Sequence, residues 1–305
     1  VASYILRRLA EFLPVLFVIV SLSFFLMRLA PGGPFDQERA LPEQVRVNIE
    51  ARYHLDEPLW RQYLQYLGEV ARGDLGPSFR YPDRSVNELL GLGFPVSLTL
   101  GLCALAVALS LGGMAGVLAG LRRNSLFDYF TMTFALFGVS VPNFVLGPIL
   151  MLLFALWLRW LPLAGWGTWR HLVLPSVTLG MFYAAYVARL TRAGMLEVIH
   201  QDFIRTARAK GLREAAVVFR HALPGAILPV VTYLGPASAA LLTGSVVVET
   251  IFSIPGVGRY FVSGALNRDY TMVLGTVVFY SVLLLLFNLV VDVLYAYLDP
   301  RVQVQ

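Results

Sequence analysis

The chain is short of charge. Of its 305 residues only 14% are Asp, Glu, Lys or Arg, while 57% are hydrophobic; soluble domains carry roughly 25% charged residues. So few charges cannot cover a soluble protein of this size, and the expected solvent for much of the surface is lipid. Lysine is nearly missing: Lys210 is the only one. A phosphate-binding P-loop needs Gly-Lys followed by Ser or Thr, and Lys210 lies between Ala209 and Gly211. No such loop exists here, so any ATP that drives this protein is hydrolysed on another chain. Cys103 is the only cysteine, which excludes an intrachain disulfide and a cysteine-based metal cluster; it falls in an apolar run and reads as a small core residue. His54, His171, His200 and His221 are scattered without the paired spacing of a metal site. No basic stripe with interleaved aromatics is present, which argues against nucleic acid as a partner. No His, Asp, Glu, Ser or Lys pair has catalytic spacing, which argues against a membrane-embedded enzyme.

What the chain does have is apolar length. A membrane-spanning helix needs ~20 mostly apolar residues. Six runs qualify: Phe12–Leu29, Pro95–Leu121, Asp128–Leu158, Leu172–Met195, Leu223–Val248 and Thr271–Leu298. Arg7 and Arg8 precede the first run as in a signal peptide, but Arg28 stands where cleavage before Ala30 would need a small residue, so the run reads as a retained span. The Asp128 run would measure ~46 Å as one helix, too long for a ~30 Å hydrocarbon core and too short for two spans and a turn. Pro142 and Pro148 suggest one bent or broken helix.

Six spans put both termini on one side, and short-loop charge says which. Arg122 and Arg123 fall in one inner loop. Arg189, Arg192, Arg205, Arg208, Lys210, Arg213 and Arg220 outnumber Glu197, Asp202 and Glu214 in the other. By the positive-inside rule both termini are cytoplasmic. Arg159 and Arg170, flanking an outer loop, run against the rule, although Arg159 is near enough to a helix end to snorkel. The expected fold is an all-α integral membrane protein of six transmembrane helices. It forms a single transmembrane domain over residues 1–305, with a helical extracytoplasmic insertion at 31–94, between spans 1 and 2, and a cytoplasmic loop at 196–222. The insertion reads as two helices, Pro42–Leu55 and Glu57–Arg72. In the second, Leu59, Tyr63, Tyr66, Leu67 and Val70 recur on one face. The absence of a visible internal repeat counts against an inverted-repeat secondary transporter.

The inner loop is the strongest functional candidate. Asp202 is placed to cap a helix over Phe203–Lys210, and Gly211 to stop it in the left-handed conformation. A second amphipathic piece, Leu212–Leu223, leads to Pro224 and the fifth span. A short helix joining two spans at the membrane face can serve as a lever for a partner, or simply fold against its own spans. Elsewhere, Gly112, Gly116 and Gly120 lie four apart on one helix face, a pattern for close helix packing. Gly256–Gly258 reads as a turn or short re-entrant piece. Glu249 and Asp269 are expected to face the outer water, and Asp292, inside the last run, to find a partner within the protein.

These residues also resemble a family. Permease subunits of bacterial ABC importers carry a loose pattern of Glu-Ala-Ala, three residues, Gly, nine residues, Ile, any residue and Leu-Pro. Here Ala207, Gly211 and Leu223-Pro224 match, while Arg205, Thr206 and His221 stand in place of Glu, the first Ala and Ile. The version RTARAKGL is similar to that of B-type oligopeptide and dipeptide permeases. So are GDLGPSF at Gly73–Phe79, SVPNF at Ser140–Phe144, ETIFSIPGVG at Glu249–Gly258, ALNRDY at Ala265–Tyr270 and VDVLYAYLDPR at Val291–Arg301, in order over essentially the whole chain. The resemblance implies half of a translocation pathway for di- or oligopeptides in the bacterial inner membrane. Its implied partners are a second homologous permease, two cytoplasmic ATPases that bind ATP and Mg, and an extracytoplasmic substrate-binding protein. The chain itself would hold no cofactor or metal. The ATPase-coupling residues would be Asp202, Phe203, Ile204, Arg205, Thr206, Ala207, Arg208, Ala209, Lys210, Gly211 and Leu212. Nickel or another small solute is the alternative cargo within the branch. An ATP-independent channel or secondary transporter is the alternative class.

Overall fold

A computed structural model describes residues 2–29, 56–81, 83–242 and 244–298. The regular structure among these residues is helical, with an isolated bridge between Pro77 and Ser85. The helices are α1 (Ala2–Leu29), α2 (Leu59–Ala71), α3 (Val86–Leu121), α4 (Leu126–Ser140), α5 (Asn143–Trp157), α6 (Trp169–Val198), α7 (Asp202–Ala209), α8 (residues 214–226), α9 (Leu228–Leu242), α10 (Val246–Ile251), α11 (Val257–Leu266) and α12 (Tyr270–Leu298). The expected helix Pro42–Leu55 lies outside the described residues.

Among the described residues five segments are long and apolar enough to cross a membrane: Arg7–Leu29, Val86–Leu121, Trp169–Val198, Leu228–Ile251 and Tyr270–Val290. The Asp128–Leu158 run is broken, as its prolines suggested. α4 ends where Val141 turns extended, because the residue before a proline is pushed out of the helical region. Pro142 opens α5, and the two helices meet at 110°. Each has 15 residues, so each is ~22 Å long and short of a crossing by itself. Together they have the length and composition of one broken span or of a re-entrant loop. The fifth run is also interrupted, between α9 and α10.

The chain divides into two compact units, one mainly of residues 1–96 and 256–286, the other of residues 97–255 and 287–304. In the second unit α6 is the central post. The second half of α3 lies along it through glycines, and a Cβ at Gly112 would strike the Ala184 carbonyl. At Gly116 it would lie 2.5 Å from the Ala188 carbonyl oxygen, and at Gly120 2.6 Å from Met195 Cβ. In lipid, where apolar contact with solvent costs nothing, such close backbone approach supplies the packing energy between helices. The Gly112–Gly116–Gly120 stripe is therefore a packing face within the subunit. Gly101 approaches Leu241 of α9 in the same way.

The first unit holds α2 against α1. Tyr63 Oη lies 2.6 Å from Ser21 Oγ, and the Tyr66 ring stacks on Phe24 at 5.4 Å. The expected stripe is the packed face except at Leu59, which is 53% exposed, while Gln62 is buried and donates to the Glu57 carbonyl at 2.7 Å. Burial raises the Tyr66 phenol well above its ordinary value. A second contact joins two motifs far apart in sequence. Asp269 is buried, not open to outer water. It accepts from Ser78 Oγ at 2.5 Å, from the Arg80 amide at 3.1 Å and from the Met272 amide at 3.0 Å. The carboxylate thus caps α12 and pins the loop at Gly73–Phe79 to it. That loop turns on Gly73 and Gly76, both at positive φ (78° and 83°), and Asn87 clamps it by donating to the Gly73 carbonyl and accepting from the Leu75 amide.

Glu249 also departs from the expectation of outer exposure. It is buried, with Ser97 Oγ donating to it at 2.7 Å and Gly244 packed against the carboxylate. An acid in an apolar span is retained only where hydrogen bonds replace its water. Gly256 lies in extended backbone just before α11, so the Gly256–Gly258 pair opens a ten-residue helix. Asp292 is half-buried in α12 and has a partner of its own.

Candidate coupling site

α7 forms where it was expected, with one change of register. Its first residue is Asp202; Gln201 holds the capping position in extended backbone and makes no side-chain cap. Asp202 is therefore not the cap. It sits in the first turn, where its charge favours the positive end of the helix, and its carboxylate reaches Arg205 at 3.5 Å across an exposed pair. The helix ends at Ala209, not Lys210. Gly211 at φ 75° terminates it. The Gly211 amide donates to Arg208 at 2.9 Å and the Leu212 amide to Ala207 at 3.4 Å, the paired bonds of a glycine-terminated helix stop.

The packing of α7 is one-sided. Ile204 and Ala207, three apart, are its buried residues. They enter a cluster with Met195 and Val198 from the end of α6 and with Val217, Val218, Ala222 and Ala226 from α8. Burying a residue the size of Ile204 contributes roughly 1.5–3 kcal/mol. α7 is thus wedged against the ends of both helices that flank it. Those ends are themselves in backbone contact, since a Cβ on Gly194 would strike the Ala226 carbonyl. A fork of Arg208 to Glu214 at 2.6 and 3.2 Å links α7 to the first turn of α8. The Arg208 hydrogen bonds hold the Glu214 carboxyl below its ordinary value, and Glu214 in turn raises Arg208.

The remaining residues of the stretch, Asp202, Phe203, Arg205, Thr206, Arg208, Ala209, Lys210, Gly211 and Leu212, are all exposed. Phe203 is 47% exposed and Leu212 42%, and Phe219 on α8 reaches 66%. Large apolar side chains among arginines outside the spans make a surface suited to a protein partner. No His, Cys, Asp or Glu group among the described residues could hold a metal ion.

Sequence reasoning missed one element behind this site. Arg192 on α6 makes a bidentate ion pair with Asp128 of α4 at 2.6 and 2.7 Å, and Asp128 is buried. Asp128 also accepts from the Asn124 amide, while its own amide donates to Ser125 Oγ, the α4 cap. This clamp ties the first turn of α4 to α6 about two turns before α6 ends. The partners are 64 residues apart, and no local pattern pairs them.

The family model for "Binding-protein-dependent transport system inner membrane component" matches residues 112–304, which include α7 and every helix packed on it. The chain belongs to that family. It is a multi-pass permease component of the inner membrane. It is similar to the oligopeptide transport system permease protein OppB of Haemophilus influenzae, 52% identical over 99% of each chain. To OppB of Salmonella typhimurium it is 51% identical over 99% of each. To the dipeptide transport system permease protein DppB of Bacillus subtilis it is 46% identical over 99% of this chain and 98% of that one. Two solved structures share the fold. The MetNI methionine ABC transporter in inward-facing conformations has a TM-score of 0.57 at 19% identity, covering 69% of this permease and 96% of that chain. An amino acid ABC transporter crystallised with histidines has a TM-score of 0.53 at 18% identity, covering 69% and 94%.

Proposed function

We propose that this permease forms one half of the pathway of an ATP-driven importer for di- and oligopeptides. A second homologous permease supplies the other half. Two cytoplasmic ATPase subunits bind ATP and Mg, one of them gripping α7, and a substrate-binding protein delivers peptide at the opposite face. The chain performs no covalent chemistry. Both termini are cytoplasmic, the 31–94 insertion is extracytoplasmic, and the 196–222 loop is the coupling loop. The observation that carries this reading is the seat of α7. Its buried face rests on α6 and α8, while Phe203, Arg205, Lys210 and Leu212 are presented outward. A pull on α7 is transmitted through Ile204 and Ala207 to two helices joined at Gly194 and Ala226. The peptide cargo follows from the full-length likeness to oligopeptide and dipeptide permeases.

The test is reconstitution of the whole transporter in liposomes, with peptide uptake and ATP hydrolysis measured together. Wild type takes up peptide only with ATP and binding protein. Arg205→Glu with Lys210→Glu inserts normally but loses at least about tenfold of its uptake per ATP, the scale of one or two lost charge-assisted contacts. Uptake that persists without ATP and follows an ion gradient would refute the importer reading. Uptake of nickel in place of peptide would change the cargo and leave the coupling intact.

A further inference from the structure

The middle of α6 carries a feature that neither coupling nor packing uses. Tyr186 stacks on Tyr233 of α9, ring centroids 5.3 Å apart and planes at 18°. Phe182 contacts both Tyr183 and Tyr186, at 5.4 and 5.1 Å. The Arg189 guanidinium lies over the Tyr186 ring, 5.0 Å from its centroid. The three tyrosines are half-buried and Arg189 is exposed. Among the described residues none of the three hydroxyls has a hydrogen-bond partner, and no acid pairs with Arg189.

Depth makes this arrangement informative. α6 has 30 residues, so it is ~45 Å long and Tyr183 lies at its midpoint. Tyr186 and Arg189 follow at ~4.5 and ~9 Å toward the inner end. In hydrocarbon an unsatisfied polar group costs several kcal/mol, and an unpaired arginine costs more. Three open hydroxyls at this depth therefore do not face lipid, and the patch ends in Arg189 where α6 approaches the inner loop. The opposite side of α6 shows the contrast: around Met181, Ala184, Ala185 and Ala188 the groove toward α3 and α4 is lined almost wholly by carbon.

We infer that Tyr183, Tyr186 and Tyr233 line the translocation path in this subunit, and that Arg189 at its inner end receives the C-terminal carboxylate of the peptide in transit. This rests on the peptide-importer reading above. The chemistry fits that cargo. A peptide of any sequence presents backbone donors and acceptors, which tyrosine hydroxyls can meet in either role, and stacked rings tolerate varied side chains. Each free peptide also ends in one carboxylate, the group an arginine fork binds best. The cation–π contact holds Arg189 without cancelling its charge. A site of this kind binds features common to all peptides, leaving sequence selectivity to the delivering protein.

The experiment uses the complete transporter in liposomes, with trialanine and its C-terminal amide as probes. The ratio of their uptake rates in each variant is compared with wild type, which cancels selection by the binding protein. Arg189→Gln lowers the preference for the free acid about tenfold, and Arg189→Lys restores part of it. In a second arm Cys103→Ser removes the only native cysteine. Tyr183→Cys and Tyr233→Cys then react with a charged, water-soluble thiosulfonate, and trialanine with ATP protects them. An unchanged ratio in Arg189→Gln overturns the carboxylate assignment. Labelling of both cysteines only by an apolar maleimide overturns the path assignment. If the wild-type complex moves no peptide, the cargo reading itself fails, and the labelling arm still decides whether this face lines a path.

Discussion

At the scale of single residues, the glycines and buried acids behave as physical chemistry requires, and adjacent positions can have opposite tolerances. Gly112 faces the Ala184 carbonyl, whereas a Cβ on Gly113 would meet nothing within 4 Å. Gly112→Ala should therefore destabilise the protein by about 1–3 kcal/mol through overpacking. Gly113→Ala should stabilise it by up to about 1 kcal/mol through helix propensity. Thermal unfolding of the purified chain in detergent reads both, and a shared sign would mean that the α3–α6 contact is misassigned. The Asp128–Arg192 clamp belongs to the same scale. A double-mutant cycle with Asp128→Ala and Arg192→Ala should show a coupling of about 1–3 kcal/mol, since a bidentate, partly desolvated pair is worth more than an exposed one. Additive effects of the two changes would show that the clamp contributes nothing. None of these partners is legible in the sequence: Gly112 was marked by its spacing, but nothing local distinguishes it from Gly113 or assigns Arg192 to Asp128.

At the scale of elements, α7 is the informative one. Its location and its glycine stop were readable because short-range rules govern them: one charged stretch between two apolar runs, and one residue able to take φ 75°. Its cap was misread because a carboxylate one position into the helix suits the dipole as well as one at the cap. Its buried face could not be read at all, since Ile204 and Ala207 are distinguished from Phe203 and Leu212 only by what lies beneath them. Ile204→Ala should cost about 2–5 kcal/mol if the wedge is rigid, and it should lower uptake more than ATP hydrolysis. Equal loss of both would argue for general unfolding over uncoupling. The Arg208–Glu214 fork gives a pH test. The Glu214 carboxyl is depressed in the folded protein, so its contribution is complete above the ordinary carboxylate range and is lost as pH falls through the depressed value. Hydrogen-exchange protection of α7 should stay flat from about pH 8 to pH 5 and fall below about pH 4. In Glu214→Gln it should be lower and lack that acid step. An acid step retained in Glu214→Gln would assign the titration to another group.

At the scale of the whole molecule, the number of crossings depends on how α4 and α5 pass through the bilayer. The six-span reading puts the segment between α5 and α6 outside. A cysteine at Gly167, whose surroundings are open, should therefore react with an impermeant reagent added to intact cells in a Cys103→Ser background. Labelling only after permeabilisation would make the α4–α5 pair re-entrant and reverse the sidedness of every later segment. Composition by itself determined that this is a helical membrane protein whose sequence carries no P-loop, because hydrocarbon demands long apolar helices and a P-loop demands a correctly placed lysine. Motif order placed the chain among importer permeases. The tertiary structure alone decided which face of each helix meets which neighbour. Spans this uniformly apolar carry no periodicity that separates a packing face from a polar path. The Tyr183, Tyr186, Tyr233 and Arg189 face becomes visible only when α6 and α9 are set side by side. The buried roles of Asp269 and Glu249 likewise depend on hydrogen-bond donors 191 and 152 residues away in the chain, a separation over which local sequence carries no information and folding alone brings the groups together.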